Sequence, residues 1–478
     1  MYTYQDYLAV GEDEAKKHRF MLTLIGAHKA SEEYDEALVA QDYYSHRNRT
    51  ITEYQKLLYT VSGKAVPDNF SANYKLASNF FQRFVVQQNQ YLLGNGVSFP
   101  KPSTKDRLGV DFDTKLQEAA RYALVDKVAF VYWGVGSDGQ EGIQRVFRLT
   151  EFAPLYDEET GALMAGVRFW QLNKGKPIRA TIYELDGYTE LMWKSGDPEI
   201  IQPKRPYIRK FTRNAEGVDE FIAWENYPGF PVVPLWGNEK KQSEIVGIRH
   251  QIDAYDLIKS GFANDLDDVS QIYWTIQNAG GMDDVDLVEF MHHMRTIKAA
   301  VVVDDGAKAE SHTVEVPYAA RETLLQKIRS DLYDDYMALD TKEIASGAVT
   351  ATQIKAAYEP LNSKADLFEY QIKDFLQRLG EIIGEDLSEA AFTRSAIVNT
   401  QESIQNLATA ANWLPEEYVT RKVLELMGDG DQADKILKQM DEDEVNAWRE
   451  LNGGGGVNGS GYEGDNPNPG GTGAADQG

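Results

Sequence analysis

Gly134-Val-Gly136-Ser-Asp-Gly139 has the spacing G-x-G-x-x-G. In a dinucleotide site those glycines let a pyrophosphate approach the N-terminus of the helix that follows. Here the residues that follow, EGIQRVFRL, read as a returning strand, so the segment predicts a hairpin turn instead of a nucleotide site. No G-x-x-x-x-G-K-[ST] phosphate loop occurs, because Gly26 to Ser31 (GAHKAS) and Gly306 to Ser311 (GAKAES) lack its glycine spacing. His292 and His293 are adjacent, so on a helix they diverge by about 100° and cannot share one metal ion. Asp283, Asp284 and Asp286 form an acidic knot without the order of acids and glycine of a calcium loop, and the same holds for Asp429-Gly430-Asp431. The absence of cysteine removes disulfides, iron–sulfur clusters, thiolate zinc sites and thiol nucleophiles. With no G-x-S-x-G or H-E-x-x-H motif either, the chain predicts no catalytic residue, no cofactor and no metal site.

The elements that would position any site follow from periodicity. Residues 1 to about 95 read mostly as helix, ending in a run where Leu76, Phe80, Phe84 and Tyr91 share a face and Gly94 and Gly96 stop it. A helix is expected over about 113–126. The texture then changes to short aromatic and β-branched strands: VAFVYW (Val128 to Trp133), GIQRVFRL, AGVRFWQL, RATIYEL, TELMWK and EFIAWEN. Beyond the proline-rich segment Tyr227 to Asn238, Ile245, Ile248, Ile252, Tyr255, Phe262, Leu266 and Val269 form a near-heptad stripe. A long helix with one apolar seam needs a partner. Leu325, Ile328, Leu332, Tyr336 and Leu339 supply one, so 244–271 and 319–339 are expected to lie side by side and antiparallel. Between them 272–316 is an insertion of mixed structure that includes the expected strand IKAAVVV. Thr350 and Gln353 make a capping box for a third long helix, in which Pro360 predicts a kink. Shorter helices are expected over about 400–450. From Asn452 the tail has 11 glycines in 27 residues and no Lys or Arg, a composition expected to be disordered. The fold class is α+β, mainly α.

The 478 residues carry 49 Lys+Arg against 75 Asp+Glu, a net charge of −26. That is the wrong sign for gripping nucleic acid by neutralising phosphates. It suits a wall that encloses DNA without holding it, or simple solubility. No apolar run approaches the roughly 20 residues that cross a bilayer. The N-terminus carries acids early and lacks the basic start of a signal peptide, which places the expected site of synthesis and use in a cytoplasm.

Particular segments, in order, resemble the portal proteins of tailed double-stranded DNA phages. YYSHRNRTI (Tyr43 to Ile51) is similar to their tyrosine pair before a short basic loop. Asn73, Asn79, Tyr91 and Gly94 fall in a second segment, and Pro154, Tyr156, Asp157 and Arg168 in a third. PGFPVVPLWGN, followed by a segment with Asp253, Tyr255, Ser260, Asn264 and Asp265, is the strongest match; IASGAVTATQIK and FTRSAIVNTQESI complete it. The likeness spans about residues 30 to 410. Trp236-Gly237-Asn238 departs from the paired asparagines usual in the family.

The resemblance implies a homododecameric ring in the virion, at the capsid portal vertex, assembled in the host cytoplasm. In it 1–242 would be a wing, 243–271 and 317–339 two stem helices, 272–316 a clip and 340–350 a tunnel loop. Residues 351–398 would be the kinked helix and its return to the wing, 399–451 a crown, and 452–478 the Gly-rich tail. Double-stranded DNA would pass through without sequence recognition. The implied partners are the terminase large subunit, head-completion or adaptor proteins, and the major capsid and scaffolding proteins. Lys342, Glu343, Ser346 and Gly347 would belong to the tunnel loop, and Asp283, Asp284 and Asp286 to the docking face of the clip. Residues 265–315 hold eleven acids against Arg295, Lys298 and Lys308, which makes a ring of clips acidic. Two other functions remain open at this stage. Another virion neck or scaffold-associated protein would lack stem helices around an axial channel, and a nucleotide-dependent oxidoreductase would need a helix after Gly139.

Overall fold

The computed structural model describes residues 2–59, 63–69, 71–136, 139–194, 196–213, 219–268, 273–277, 308–312, 318–342, 350–395, 400–440 and 442. The expected strand IKAAVVV, the His292–His293 pair and the Gly-rich tail lie outside these residues. Residues Met1–Ala396 make one compact unit and Ile397–Gly478 a second.

The first helices begin where polar side chains can satisfy free N–H groups. Thr3 and Asp6 cap α1 (Tyr4–Ala9) reciprocally, the Asp13 carboxylate accepts from the Ala15 and Lys16 amides at the start of α2 (Glu14–Lys29), and Ser31 caps α3 (Glu32–Tyr44). After α4 (Arg49–Glu53) the expected helical run breaks into a small hairpin of β1 (Leu57–Tyr59) and β2 (Ala65–Pro67). Helix resumes only at α5 (Phe80–Leu93), so Leu76 does not share a helical face with Phe80. Then come β3 (Val97–Ser98), α6 (Pro102–Leu108) and α7 (Phe112–Asp126).

The strand-rich part is antiparallel. β4 (Val128–Val135) and β5 (Glu141–Arg148) form the hairpin expected from the glycine motif, with Gly139 at φ 80° and a strand after it, which excludes the nucleotide reading. β6 (Phe152–Tyr156), β7 (Leu163–Trp170), β8 (Ile178–Glu184), β9 (Gly187–Trp193) and β10 (Glu199–Arg205) follow as a five-stranded meander. A separate ribbon of β11 (Ile208–Arg213) and β12 (Asp219–Glu225) comes next, and β13 (Val232–Trp236) returns to pair with β4.

Alternation decides what each face of the meander meets. Leu155, Val167, Phe169, Ile182 and Leu191 pack under Tyr7, Met21, Leu24 and Ile25 of α1 and α2. The opposite face meets the β13-β4-β5 sheet through rings, with Phe147 and Phe152 stacked at 5.6 Å and Tyr132 and Tyr183 5.0 Å apart. Gly166 leaves room for the Phe152 ring, which a Cβ there would overlap.

A buried ion pair ties this core together. Arg148 at the end of β5 donates from Nε and Nη2 to the Asp126 carboxylate, each at 2.7 Å, and Gln41 of α3 adds a third donor at 3.1 Å. Burial pushes the Asp126 carboxyl up against the pull of those donors.

The remaining described elements are α8 (Arg249–Asp268), β14 (Tyr273–Gln277), β15 (Lys308–His312), α9 (Tyr318–Tyr336), α10 (Ala351–Ile383) and β16 (Ala391–Phe392), which pairs with β3. In the second unit α11 (Thr400–Ala410) and α12 (Glu416–Met427) are joined by a short turn. The described chain is mixed α and β, mainly helical. Among the described residues no helix is long and apolar enough to cross a membrane.

Candidate functional site

The two striped segments form an antiparallel helix pair. Gln251 near the start of α8 donates to Asp335 near the end of α9, Phe262 packs edge-on against Tyr318 at 5.7 Å, and Arg321 pairs with Asp265. The expected spans 244–271 and 319–339 shorten to 249–268 and 318–336. At the first end, Ser243 donates to the Val125 carbonyl and the Glu244 amide to that of Leu124. This anchors the chain to α7, and Ile245 and Ile248 join the main core ahead of the helix. At the second end, Met337 takes φ 62° and the Ala338 amide reaches back to the Tyr333 carbonyl, a left-handed cap that stops α9. Beyond the pair, the chain leaves and returns as an antiparallel ladder, with Tyr273 opposite His312 and Gln277 opposite Lys308.

Residues 71–79, expected as helix, lie along α8. The amides of Tyr74, Leu76 and Ser78 donate to Asn264 Oδ1 (2.6 Å), Ser260 Oγ (2.9 Å) and Asp256 Oδ1 (2.9 Å). The match is geometric. Alternate amides of an extended chain repeat at about 6.7 Å, and helix positions four apart at about 6 Å. Three side chains on one stripe of α8 therefore replace a neighbouring strand. Asn48 also donates to Asp256, and Tyr43 to Asp253, so two segments that carried the family resemblance converge on the helix of a third. Burial raises the Asp256 carboxyl, and its donors pull it back. Ser260→Ala is expected to cost about 1–2 kcal/mol by leaving the Leu76 amide without its acceptor. Chemical denaturation reads that loss, and faster amide exchange confined to 71–78 distinguishes it from general loosening.

The segment after α9 is held at its root. Gln87 of α5 donates to the Leu339 carbonyl and accepts from the Leu339 amide, both at 3.0 Å, and Tyr336 donates to Gln88. Asp340 is buried, lies 2.6 Å from Arg329, and accepts the Lys342 amide at 3.1 Å. The loop expected from Asp340 instead opens with a helical Thr341 and Lys342, because that carboxylate acts as their cap; the Lys342 side chain is exposed. On the far side Thr350 and Gln353 form the expected capping box, and α10 runs 33 residues with Pro360 inside it. Lys364 of α10 reaches Glu244 at 2.7 Å and lies 3.5 Å over the Tyr336 ring. Burial lowers the Lys364 ammonium's pKa while Glu244 opposes the shift. One buried cation thus joins the entry to α8, the end of α9 and the middle of α10.

These are structural joints, and among the described residues no three His, Asp or Glu side chains gather as metal ligands. A family model described as "Phage portal protein, SPP1 Gp6-like" matches residues 26–445. The chain belongs to this portal protein family. Two relatives carry the name portal protein. That of Clostridium phage phiCD119 is 23% identical over 411 residues, 81% of this chain and 88% of the relative. That of Bacillus phage SPP1 is 24% identical over 399 residues, covering 76% and 75%. Similar solved structures include the neck of an empty gene transfer agent particle, with TM-score 0.42, 11% identity and coverage of 73% and 90%. Another is the virion of a native gene transfer agent particle, with TM-score 0.41, 12% identity and coverage of 73% and 90%. The portal protein is a structural, non-enzymatic component of the virion.

Of the residues singled out in the portal sequence, Lys342 is described, whereas Glu343, Ser346, Gly347, Asp283, Asp284 and Asp286 lie outside the described residues. Sequence reading missed Gln87, Gln88, Glu244 and Lys364. Polar residues at buried positions of apolar stripes were the available signal: Gln88 is adjacent in the helix to Phe84 and Tyr91, and Lys364 to Leu361 and Phe368.

Proposed function

We propose that this portal protein assembles as a homododecameric ring around an axial channel through which double-stranded DNA enters the capsid and leaves it. In this reading α8 and α9 are the stem, residues 272–316 the clip that docks the terminase large subunit and later head-completion proteins, 340–350 the tunnel loop, and 399–451 the crown. Residues 1–242 and α10 build the wing, which meets the major capsid and scaffolding proteins. The observation that carries the reading is the antiparallel α8–α9 pair with a ladder at the outer end and a polar-rooted segment, Leu339 to Lys342, at the inner end. A long insertion at one end of a helix pair and a short segment at the other are what a conduit with separate docking and channel-facing ends requires. The acidic excess of 265–315 keeps DNA from adhering to such a conduit.

Electron microscopy of the purified protein tests this directly: rings with a central hole are expected, and a population of closed particles or monomers at all concentrations overturns it. Reversing Asp283, Asp284 and Asp286 to lysine together is expected to leave rings intact and weaken terminase binding at least about tenfold, a coupling of roughly 1.4 kcal/mol. Pull-down on assembled rings measures it. Loss of the rings themselves would assign the acidic knot a structural role.

A further inference from the structure

Among the described residues the β11–β12 ribbon has no third strand. Its register sets Arg209 opposite Trp224 and Phe211 opposite Phe221, so these four residues share one face. Phe211, Phe221 and Trp224 are 48%, 47% and 43% exposed. The Arg209 guanidinium lies 4.7, 5.5 and 5.8 Å from their ring centres, and is itself exposed. On the other face Lys210 lies 2.7 Å from Glu225, and Ile208 packs against the main core. An isolated two-stranded hairpin is marginal in water. Three half-exposed rings make an apolar patch on the order of 300 Å², a size at which surface patches are often functional.

A second apolar patch lies on α10. Phe368, Ile372 and Phe375 are buried in the core, and on the outer side Leu367 and Tyr370 are 60% and 65% exposed. Asp374 follows one turn beyond Tyr370 on the same stripe, and its contact with Arg378 is a solvent-exposed pair that contributes little. Both patches belong to the Met1–Ala396 unit.

A ring closed by rotation needs a heterologous contact, in which each copy presents two different and complementary surfaces. One patch here is aromatic with a cation, and the other is apolar with an acid. We infer that the Arg209–Phe211–Phe221–Trp224 face of one copy seats on the Leu367–Tyr370–Asp374 face of a second copy, with Arg209 meeting Asp374. The contact buries the rings that the hairpin alone leaves wet, and it places a charge pair at the rim where it selects register. This inference rests on the ring proposed above and names a surface that closes it.

The chain contains no cysteine, so introduced thiols are unique. Gln377 is exposed on α10 three residues beyond Asp374, and in rings of the double variant Phe221→Cys with Gln377→Cys a short bismaleimide is expected to join neighbours into a covalent ladder reaching the ring's full subunit number. Each single variant gives no ladder. Rings that give no ladder, although both thiols react with a monofunctional maleimide, overturn the inference. An independent arm uses charge. Arg209→Glu and Asp374→Arg are each expected to raise the protein concentration needed for rings about tenfold in mass photometry, and the combined swap to restore it. Single variants that assemble as the parent does, or a swap that restores nothing, overturn the pairing. Absence of rings in the parent protein strikes the ring proposal instead, so the two failures are distinguishable.

Discussion

Asp126→Ala lowers the stability of the folded chain by about 3–5 kcal/mol, the usual cost of leaving a buried partner charge uncompensated. The Asp126 side chain has no solvent exposure, and Arg148 is mostly enclosed beside it, with its guanidinium 4.7 Å above the Tyr122 ring. Removing the carboxylate strands two guanidinium N–H donors at once and leaves the Gln41 amide with Thr150 alone. Burial works against the Arg148 cation and Asp126 more than offsets it, which is why its pKa is raised. The cost thus arises from the orphaned cation. Asp126→Leu combined with Arg148→Met, which removes both charges, is expected to recover most of the loss. Denaturant unfolding of the three variants measures this, and a double variant as unstable as Asp126→Ala would show that the pair's geometry, not the stranded charge, is what matters.

Deleting Ile344 to Gly347 is expected to leave rings intact and reduce DNA packaged per capsid to background. The anchors on either side survive the deletion. Gln87 still holds both polar groups of Leu339, Arg329 still holds Asp340, and Thr350 still caps α10. Assembly therefore has no reason to fail. In the proposed channel, the deletion would shorten the segment that lets Lys342 follow a moving phosphate backbone. In that reading a single cation per copy would favour brief contact over tight binding. Capsid DNA content and electron microscopy of the same particles are the paired measurements, and unchanged packaging in intact rings defeats the claim.

Local signals in the sequence carried a large part of the fold. The Thr350–Gln353 cap, the turn at Gly139, the aromatic and β-branched runs of β4, β5, β7, β8 and β9 and the helical periods of α8 and α9 all depend on residues a few positions apart. The order of the family-like segments carried the membership. Tertiary structure decided the joints. Whether 71–79 forms helix depended on Asp256, Ser260 and Asn264 offering acceptors from 178 to 190 residues away. Whether Ile245 and Ile248 extend the seam depended on Ser243 meeting the end of α7, and the root of the 340–350 segment depended on Gln87, 252 residues distant. A polar side chain on an apolar stripe reads the same in sequence whether it meets water or a buried partner. Only the packing of remote segments fixes which, because the free energy of a buried hydrogen bond or ion pair exists only once both partners have been brought out of water together.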